Sequence, residues 1–419
     1  MKNHILVYVR KSISGMKKLI KWLFLAALAG VGIGGVGTLF AHGVIKATTF
    51  RQENPMILFF LPFAGLVIVG SYYLLHDEKD KGTNMVLSAI HAGEGVPFRM
   101  APLIFMATVI THLFGGSAGR EGAALQLGGS IGDQMGKWFH LDKEDEHVMI
   151  MCGMSAAFSA LFGTPAAAAI FAMEVVSVGV MYYAALVPCV FASLIASAIA
   201  TYFGIYPEHF QIMEVPELTI INGARMMVLA LVCAVVSALF CMFMHRVGNL
   251  FKEYIKNPYL RIFAGGAAVV ALACLLRTDD YLGAGMQVVG RAMKGEVVWY
   301  AFLAKIVFTA LTLGSGYKGG EIVPTFFIGA TLGCLLGNIM GFCPSLCAAA
   351  GMIALFCGVT NCPVTSLLIA FELFGFEGVP YFLIAVSISY LMSGYYGLYE
   401  EQNIVYSKYK ARYINKKTR

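Results

Sequence analysis

The feature that most constrains this chain is the recurrence of apolar stretches long enough to cross a lipid bilayer. Trp22–Leu39, Met56–His76 and Met226–Met244 are three of them. A helix of about 18 or more such residues spans roughly 30 Å of hydrocarbon. Inside the bilayer every backbone N–H and C=O must be satisfied within the protein, so long apolar runs of this kind cross as helices. The expected fold class is therefore all-α, a polytopic membrane protein. Charge usage agrees: 13% of the 419 residues are charged and 58% are hydrophobic, whereas soluble domains carry about 25% charged residues.

The basic residues are concentrated at the two ends. Lys2, Arg10, Lys11, Lys17, Lys18 and Lys21 precede the first apolar run, and Lys408, Lys410, Arg412, Lys416, Lys417 and Arg419 close the chain. No small-residue cleavage site follows the first basic segment, so no signal peptide is read there. The positive-inside rule places both ends in the cytoplasm and makes the number of crossings even. The expected location is the cell membrane. The net charge of +6 is read as topology and contact with anionic lipid, not as nucleic-acid binding. The ten cysteines lack zinc-type spacing and are read as small buried hydrophobes. No metal or cofactor is expected.

Polar punctuation is sparse. His76–Gly82, Asp142–His147, Arg277–Asp280 and Pro207–Glu217 are loop candidates, and the last divides the chain nearly in half. The expected organisation is a basic N-terminal or interfacial helix at 1–19, a membrane domain at 20–407 with halves at about 20–205 and 216–407, and a basic tail at 408–419 with no regulatory domain.

The two halves repeat. "FGTPAAAAIFAMEV" (Phe162–Val175) resembles "VTNCPVTSLLIAFEL" (Val359–Leu373), with Pro165 and Glu174 each 198 positions before Pro363 and Glu372. Upstream, "GREGAALQLGGSIG" (Gly119–Gly132) aligns with "GEIVPTFFIGATLG" (Gly320–Gly333) at an offset of 201, so that Gly119, Gly128 and Gly132 fall on Gly320, Gly329 and Gly333. Small residues also recur in helix packing, but two matches in one order at nearly one offset point to duplication. The glycine-broken stretches 114–136 and 314–341 are not expected to be simple spanning helices. Short, interrupted segments at matching places in two halves mark an ion site made from half-helices.

Such a site binds anions for a physical reason. Glycine lets the backbone turn and approach an ion closely. The first N–H groups of the following helix lack intrahelical partners and carry the positive end of the dipole. Two converging N-termini hold an anion without a fixed positive charge that would trap it. Glu121 lies at one such N-terminus, where its carboxylate can occupy the same amides, compete with an anion and release them on protonation. An intramembrane carboxylate is costly and points to function. Capping of the helix is the plainer role. Arg120 is expected to face a carboxylate, a carbonyl or an aqueous vestibule.

Together "GREG", "LQLGGSIG", "KGGEIVPTFFIGATLG" and the paired proline-to-glutamate stretches resemble the chloride-channel (CLC) family over roughly residues 20–407. "GGSAGREG", "GYKGGE" and "SGYYGLYEEQ" are similar to its fluoride/proton antiporter branch (CLC-F). The resemblance implies an inverted repeat with broken, re-entrant helices, a homodimer with one pore per subunit, and α-helices Pro165–Glu174 and Pro363–Glu372 at the dimer interface. It implies gating and proton roles for Glu121 and Glu321. It also implies an anion path lined by Gly119, Arg120, Gly122, Gly320, Ile322 and Val323, with Tyr399 as the inner-gate tyrosine.

Three departures stand out. The family's Gly-Ser-Gly-Ile-Pro element falls near Gly82, where the chain reads "KGTNMV"; Thr83 is the first placement for the anion-facing residue and Asn84 the second. Val323 stands where the branch often has threonine, and an apolar side chain donates no hydrogen bond. Val175 stands where chloride/proton exchangers carry an inner proton glutamate, which agrees with the fluoride branch. The expected function is export of fluoride in exchange for protons, with chloride/proton exchange or passive chloride conduction as the alternative. The partners are fluoride or chloride, protons and the lipid bilayer. An intramembrane hydrolase using His112 and a serine near Gly116 is the rival from another class, and the chain is not expected to be an enzyme. Glu174 and Glu372 are expected to bond backbone donors within the bundle.

Overall fold

The structure is a computed structural model that describes residues 2–77 and 81–418, with side chains from residue 12 onward. The side chains of Lys2, Arg10 and Lys11, residue Arg419, and positions 78–80 of the expected His76–Gly82 loop lie outside the described residues. The first half holds α1 (Lys2–Glu53), α2 (Leu61–Leu74), α3 (Thr83–Ala92), α4 (Met100–Leu113), α5 (Glu121–Trp138), α6 (Lys143–Phe162), α7 (Pro165–Glu174) and α8 (Leu186–Tyr202). The second half holds α9 (Ile220–Tyr254), α10 (Pro258–Leu276), α11 (Met286–Ala292), α12 (Ala301–Ser315), α13 (Ile322–Met340), α14 (Pro344–Thr360), α15 (Pro363–Phe374) and α16 (Val379–Met392). Among the described residues six segments are long and apolar enough to cross a membrane, including Ile220–Tyr254 and Ile322–Met340. The chain is a multi-pass membrane protein.

Two expectations are corrected. The segment 1–19 is not a separate interfacial helix, because α1 runs unbroken from Lys2 to Glu53. Between Lys17 and Trp22 there is no proline, glycine or capping residue to stop it. The tail is not a mere basic extension. Tyr413–Lys417 forms a strand (β3) antiparallel to Asn403–Tyr406 (β2), which pairs in parallel with Ser177–Val178 (β1). Among the described residues this small sheet is the exception to an otherwise helical fold. It forms because Tyr, Ile and Val at 404–406 and 413–414 favour extended pairing.

The repeat glycines do two different jobs. Gly128 and Gly132 let α5 press onto α6: a Cβ on Gly128 would stand 2.2 Å from the Gly153 carbonyl oxygen, and one on Gly132 2.5 Å from that of Met149. Gly329 and Gly333 do the same for α13 on α14, with Cβ positions 2.4 Å from the Gly351 oxygen and 2.0 Å from the Cys347 oxygen. Without a hydrophobic force between helices in lipid, such close backbone contact is what holds them. Gly119 and Gly320 do something else, described below.

The second repeat motif makes a reciprocal cap. Glu174, at the end of α7, accepts from Val364 N (3.0 Å), Thr365 N (2.8 Å) and Thr365 Oγ1 (2.6 Å) at the start of α15. Glu372, near the end of α15, accepts from Ala166 N and Ala167 N, both at 2.9 Å, at the start of α7. Each carboxylate satisfies donors that the other helix leaves open. The backbone partners expected for these glutamates are the ones found.

Candidate functional site

Both broken stretches resolve as a loop followed by a helix. Residues 114–120 are non-helical or turn before α5 begins at Glu121, and residues 316–321 do the same before α13 begins at Ile322. Neither stretch is a straight spanning helix. The two loops meet. Gly119 N–H donates to Gly320 O at 2.7 Å and Gly320 N–H donates to Gly119 O at 2.8 Å, an antiparallel bridge between repeat-equivalent residues. Glycine is required at 320, where a Cβ would strike backbone, while at 119 a Cβ would meet the movable tip of Glu121. A Cβ on Gly320 would lie 2.4 Å from Gly122 N, and one on Gly119 would lie 2.5 Å from Glu121 Oε2. The first-turn N–H groups of α5 and α13 are thereby brought to one place inside the protein.

The carboxylate of Glu121 folds back onto its own helix start. Its Oε2 accepts from Arg120 N at 2.9 Å, and its Oε1 lies 3.6 Å from Arg120 Nε. Glu121 is only 1% exposed. A buried charge is tolerable only with such donors. Arg120 also donates from Nη2 to Leu161 O at 3.3 Å. It therefore meets a carboxylate and a carbonyl, and it borders a cavity as well.

Two cavities approach the bridge and share no lining residue. The first, about 490 Å³, is bordered by Arg51, His112, Arg120, Glu121, Glu208 and Val323. The second, about 770 Å³, is bordered by Thr83, Asn84, Gln126, Glu321, Tyr399 and Glu401. Glu121 and Glu321 thus face different cavities although they flank one bridge. Glu321 Oε2 and Thr83 Oγ1 each lie 3.4 Å from where a Cβ on Gly122 would stand. The Thr83 hydroxyl contacts Gly122 O at 3.4 Å, while Asn84 Oδ1 accepts from Glu401 N at 3.2 Å. Of the two placements weighed from sequence, Thr83 is the one beside the half-helix. Ile322 and Val323 are buried in the first turn of α13, and Val323 Cβ lies 3.1 Å from the Cβ position of Gly119. The Tyr399 phenol is 2% exposed, and its oxygen has no hydrogen-bond partner among the described residues. The phenol borders the second cavity, and a buried hydroxyl left unpaired there calls for an explanation.

Sequence reasoning missed Gln126. It is buried, donates from Nε2 to Thr83 Oγ1 at 3.3 Å, and borders the second cavity. One signal was available: it is the polar side chain one turn after Gly122 in an otherwise apolar run, on the same helix face. His112 is packed, its Nε2 3.3 Å from Gly119 O. Ser117 pairs with Thr309 Oγ1 at 3.2 Å. The hydrolase reading has no serine–histidine pair there. The ten cysteines form no disulfide, and Cys274 alone among them is exposed.

A family model described as voltage gated chloride channel matches residues 64–394. The chain belongs to that family. Members of this channel and transporter family move ions rather than catalyse reactions. A chloride/fluoride channel protein of Pseudomonas syringae pv. tomato is 37% identical over 396 residues, covering 93% of this chain and 88% of the relative. A proton/chloride exchange transporter of Vibrio cholerae is 26% identical, covering 84% and 81%. A solved CLC-type fluoride/proton antiporter superposes with a TM-score of 0.88 at 33% identity, covering 92% of this chain and 98% of that one. A cyanobacterial chloride/proton antiporter shares the fold, with a TM-score of 0.76 at 19% identity.

Proposed function

We propose that this CLC protein exports fluoride in exchange for protons. The single observation that carries the reading is the Glu121 carboxylate, folded onto the helix start beside the Gly119–Gly320 bridge. The charged carboxylate holds donors that an anion would use. A proton taken from the first cavity, read as the outer one, neutralises it and lets it leave. Fluoride from the second cavity, read as the cytoplasmic one, then takes the amides of Glu121 and Gly122 and of Glu321 and Ile322. Gly119, Arg120, Gly320, Val323, Thr83, Asn84 and Tyr399 border its path. An inward proton gradient drives fluoride out.

Fluoride is small and strongly hydrated, and it needs close donors to leave water. The proposed donors are the amides, the Thr83 hydroxyl, the Tyr399 phenol and a protonated Glu321, since a carboxylic acid donates one hydrogen bond and a carboxylate none. Support comes from the 33% identical fluoride/proton antiporter structure and the 37% identical chloride/fluoride relative. The protein acts as a homodimer in the cell membrane, one pore per subunit, with both termini cytoplasmic. The α7–α15 pair lies at the dimer interface.

Val323 favours a second reading. A threonine there would add a donor, and the apolar side chain does not. Chloride, more weakly hydrated, needs fewer donors, so chloride/proton exchange or passive chloride conduction is the alternative. Flux from proteoliposomes, recorded with fluoride, chloride and pH electrodes, separates them. Fluoride efflux with stoichiometric proton uptake is expected, with chloride moving far more slowly. Glu121→Gln is expected to abolish proton movement. If that variant still exchanges protons for fluoride at the native ratio, Glu121 is not the gate.

A further inference from the structure

The last strand of the chain ends against the segment that carries Tyr399. Thr418 Oγ1 donates to Tyr399 O at 2.6 Å, and Thr418 N donates to Gln402 O at 3.1 Å. The Gln402 N–H closes a turn onto the same Tyr399 oxygen at 3.0 Å. The Gln402 side chain is fully buried and fully used. Its Nε2 donates to Val175 O (2.9 Å) and Thr360 O (2.8 Å), and its Oε1 accepts from Asn361 Nδ2 (2.9 Å). These contacts tie the ends of α7 and α14 to the 398–402 segment. Gly397 lets the tail come close: a Cβ there would stand 3.0 Å from Asn361 Nδ2 and 3.1 Å from Thr418 Cγ2. Upstream, the tail is seated by Lys408, whose Nζ donates to Tyr390 O (3.0 Å), Ser393 Oγ (3.1 Å) and Asn361 Oδ1.

By contrast, the Tyr399 phenol makes no bond within the protein among the described residues. Its backbone, not its hydroxyl, decides where it stands. We propose that Gln402 and Thr418 are positioning residues for Tyr399, with the end of the chain strapping this phenol against the second cavity. The inference rests on the reading above that Tyr399 borders the anion path. A disulfide-free strap of this kind is held by a few hydrogen bonds, so single side-chain changes can loosen it without unfolding the helical core.

Two measurements test this on the full-length protein, with Thr418→Val and Thr418→Ser compared after a check that each elutes as a single species. In hydrogen–deuterium exchange, Thr418→Val is expected to speed exchange of the 398–403 peptide about five-fold, the effect of one lost hydrogen bond. Thr418→Ser, which keeps the hydroxyl, is expected to exchange like the native protein. In proteoliposomes, Thr418→Val is expected to slow proton-coupled fluoride efflux by a similar factor, and to add nothing in a Tyr399→Ala background. Unchanged exchange in Thr418→Val overturns the proposal. So does a flux loss of equal size with and without Tyr399, which would make the strap generally structural. Should the native protein move no fluoride against protons, the functional reading fails, while the exchange result still decides whether Thr418 holds the segment.

Discussion

The starts of α5 and α13 share one backbone plan and carry different side chains. Setting Gly119 on Gly320 puts Arg120 on Glu321, Glu121 on Ile322 and Gly122 on Val323. At the first start, a titratable side chain folds back over the amides and faces the smaller cavity. At the second, the equivalent residue is a fully buried isoleucine, and the carboxylate sits one position earlier, facing the larger cavity. A symmetric cradle of N–H groups would treat its two sides alike. The side chains make the sides unequal, and on the proposed reading that inequality lets a proton and an anion take turns.

The comparison can be broken most severely at the glycines. Gly320→Ala would push a methyl group to 2.4 Å from Gly122 N and 3.1 Å from Glu121 N, forcing the two starts apart. Fluoride flux should fall at least about 100-fold, as expected when reacting groups are misplaced by an ångström. Flux near the native level would mean that the two starts need not meet. Gly329→Ala, in the packing rather than the bridge, is the control for instability alone.

A smaller effect is expected from Glu321→Gln, which keeps size and hydrogen bonding but does not titrate. Coupled flux should drop about 100-fold, the low end of what a positioned proton-transfer group contributes, and the remaining flux should lose its dependence on pH in the second cavity. An unchanged pH profile would assign Glu321 to structure only. The smallest effects concern the reciprocal caps. Glu174 is 7% exposed and accepts three hydrogen bonds, whereas Glu372 is more open and accepts two. Glu174→Gln should therefore cost about 2 kcal/mol and Glu372→Gln about 1 kcal/mol, read as loss of thermal stability in detergent. The reverse order would show that burial does not set the difference between the halves.

Much of this was legible in the chain itself because lipid leaves few options. Long apolar runs must be helices, and a glycine-broken run must hide its backbone in protein or line a cavity. The offsets of 198 and 201 marked which residues are equivalent, although not what they would do. Gly119 and Gly320 bond to each other, while Gly128 and Gly329 serve packing, and the same residue type at the same repeat interval could not distinguish the two. Thr83 and Asn84 are neighbours in sequence and turn to different partners, which depends on where α3 lies against α5. Gln126 was overlooked because its partner, Thr83, is 43 positions away.

The sequence by itself determined the helical class, the duplication, the two half-helix starts and the acidic residues beside them, since these follow from hydropathy, glycine and local helix chemistry. Only the tertiary structure decided that the two starts share a bridge and that their carboxylates face separate cavities. It alone also showed that the tail, basic by composition, folds back as a strand onto Tyr399. The bridge and the two cavities depend on residues about 200 positions apart, and the tail's seat on residues 19 apart that local helix or strand preference does not join; such distances are set by the packing of whole elements.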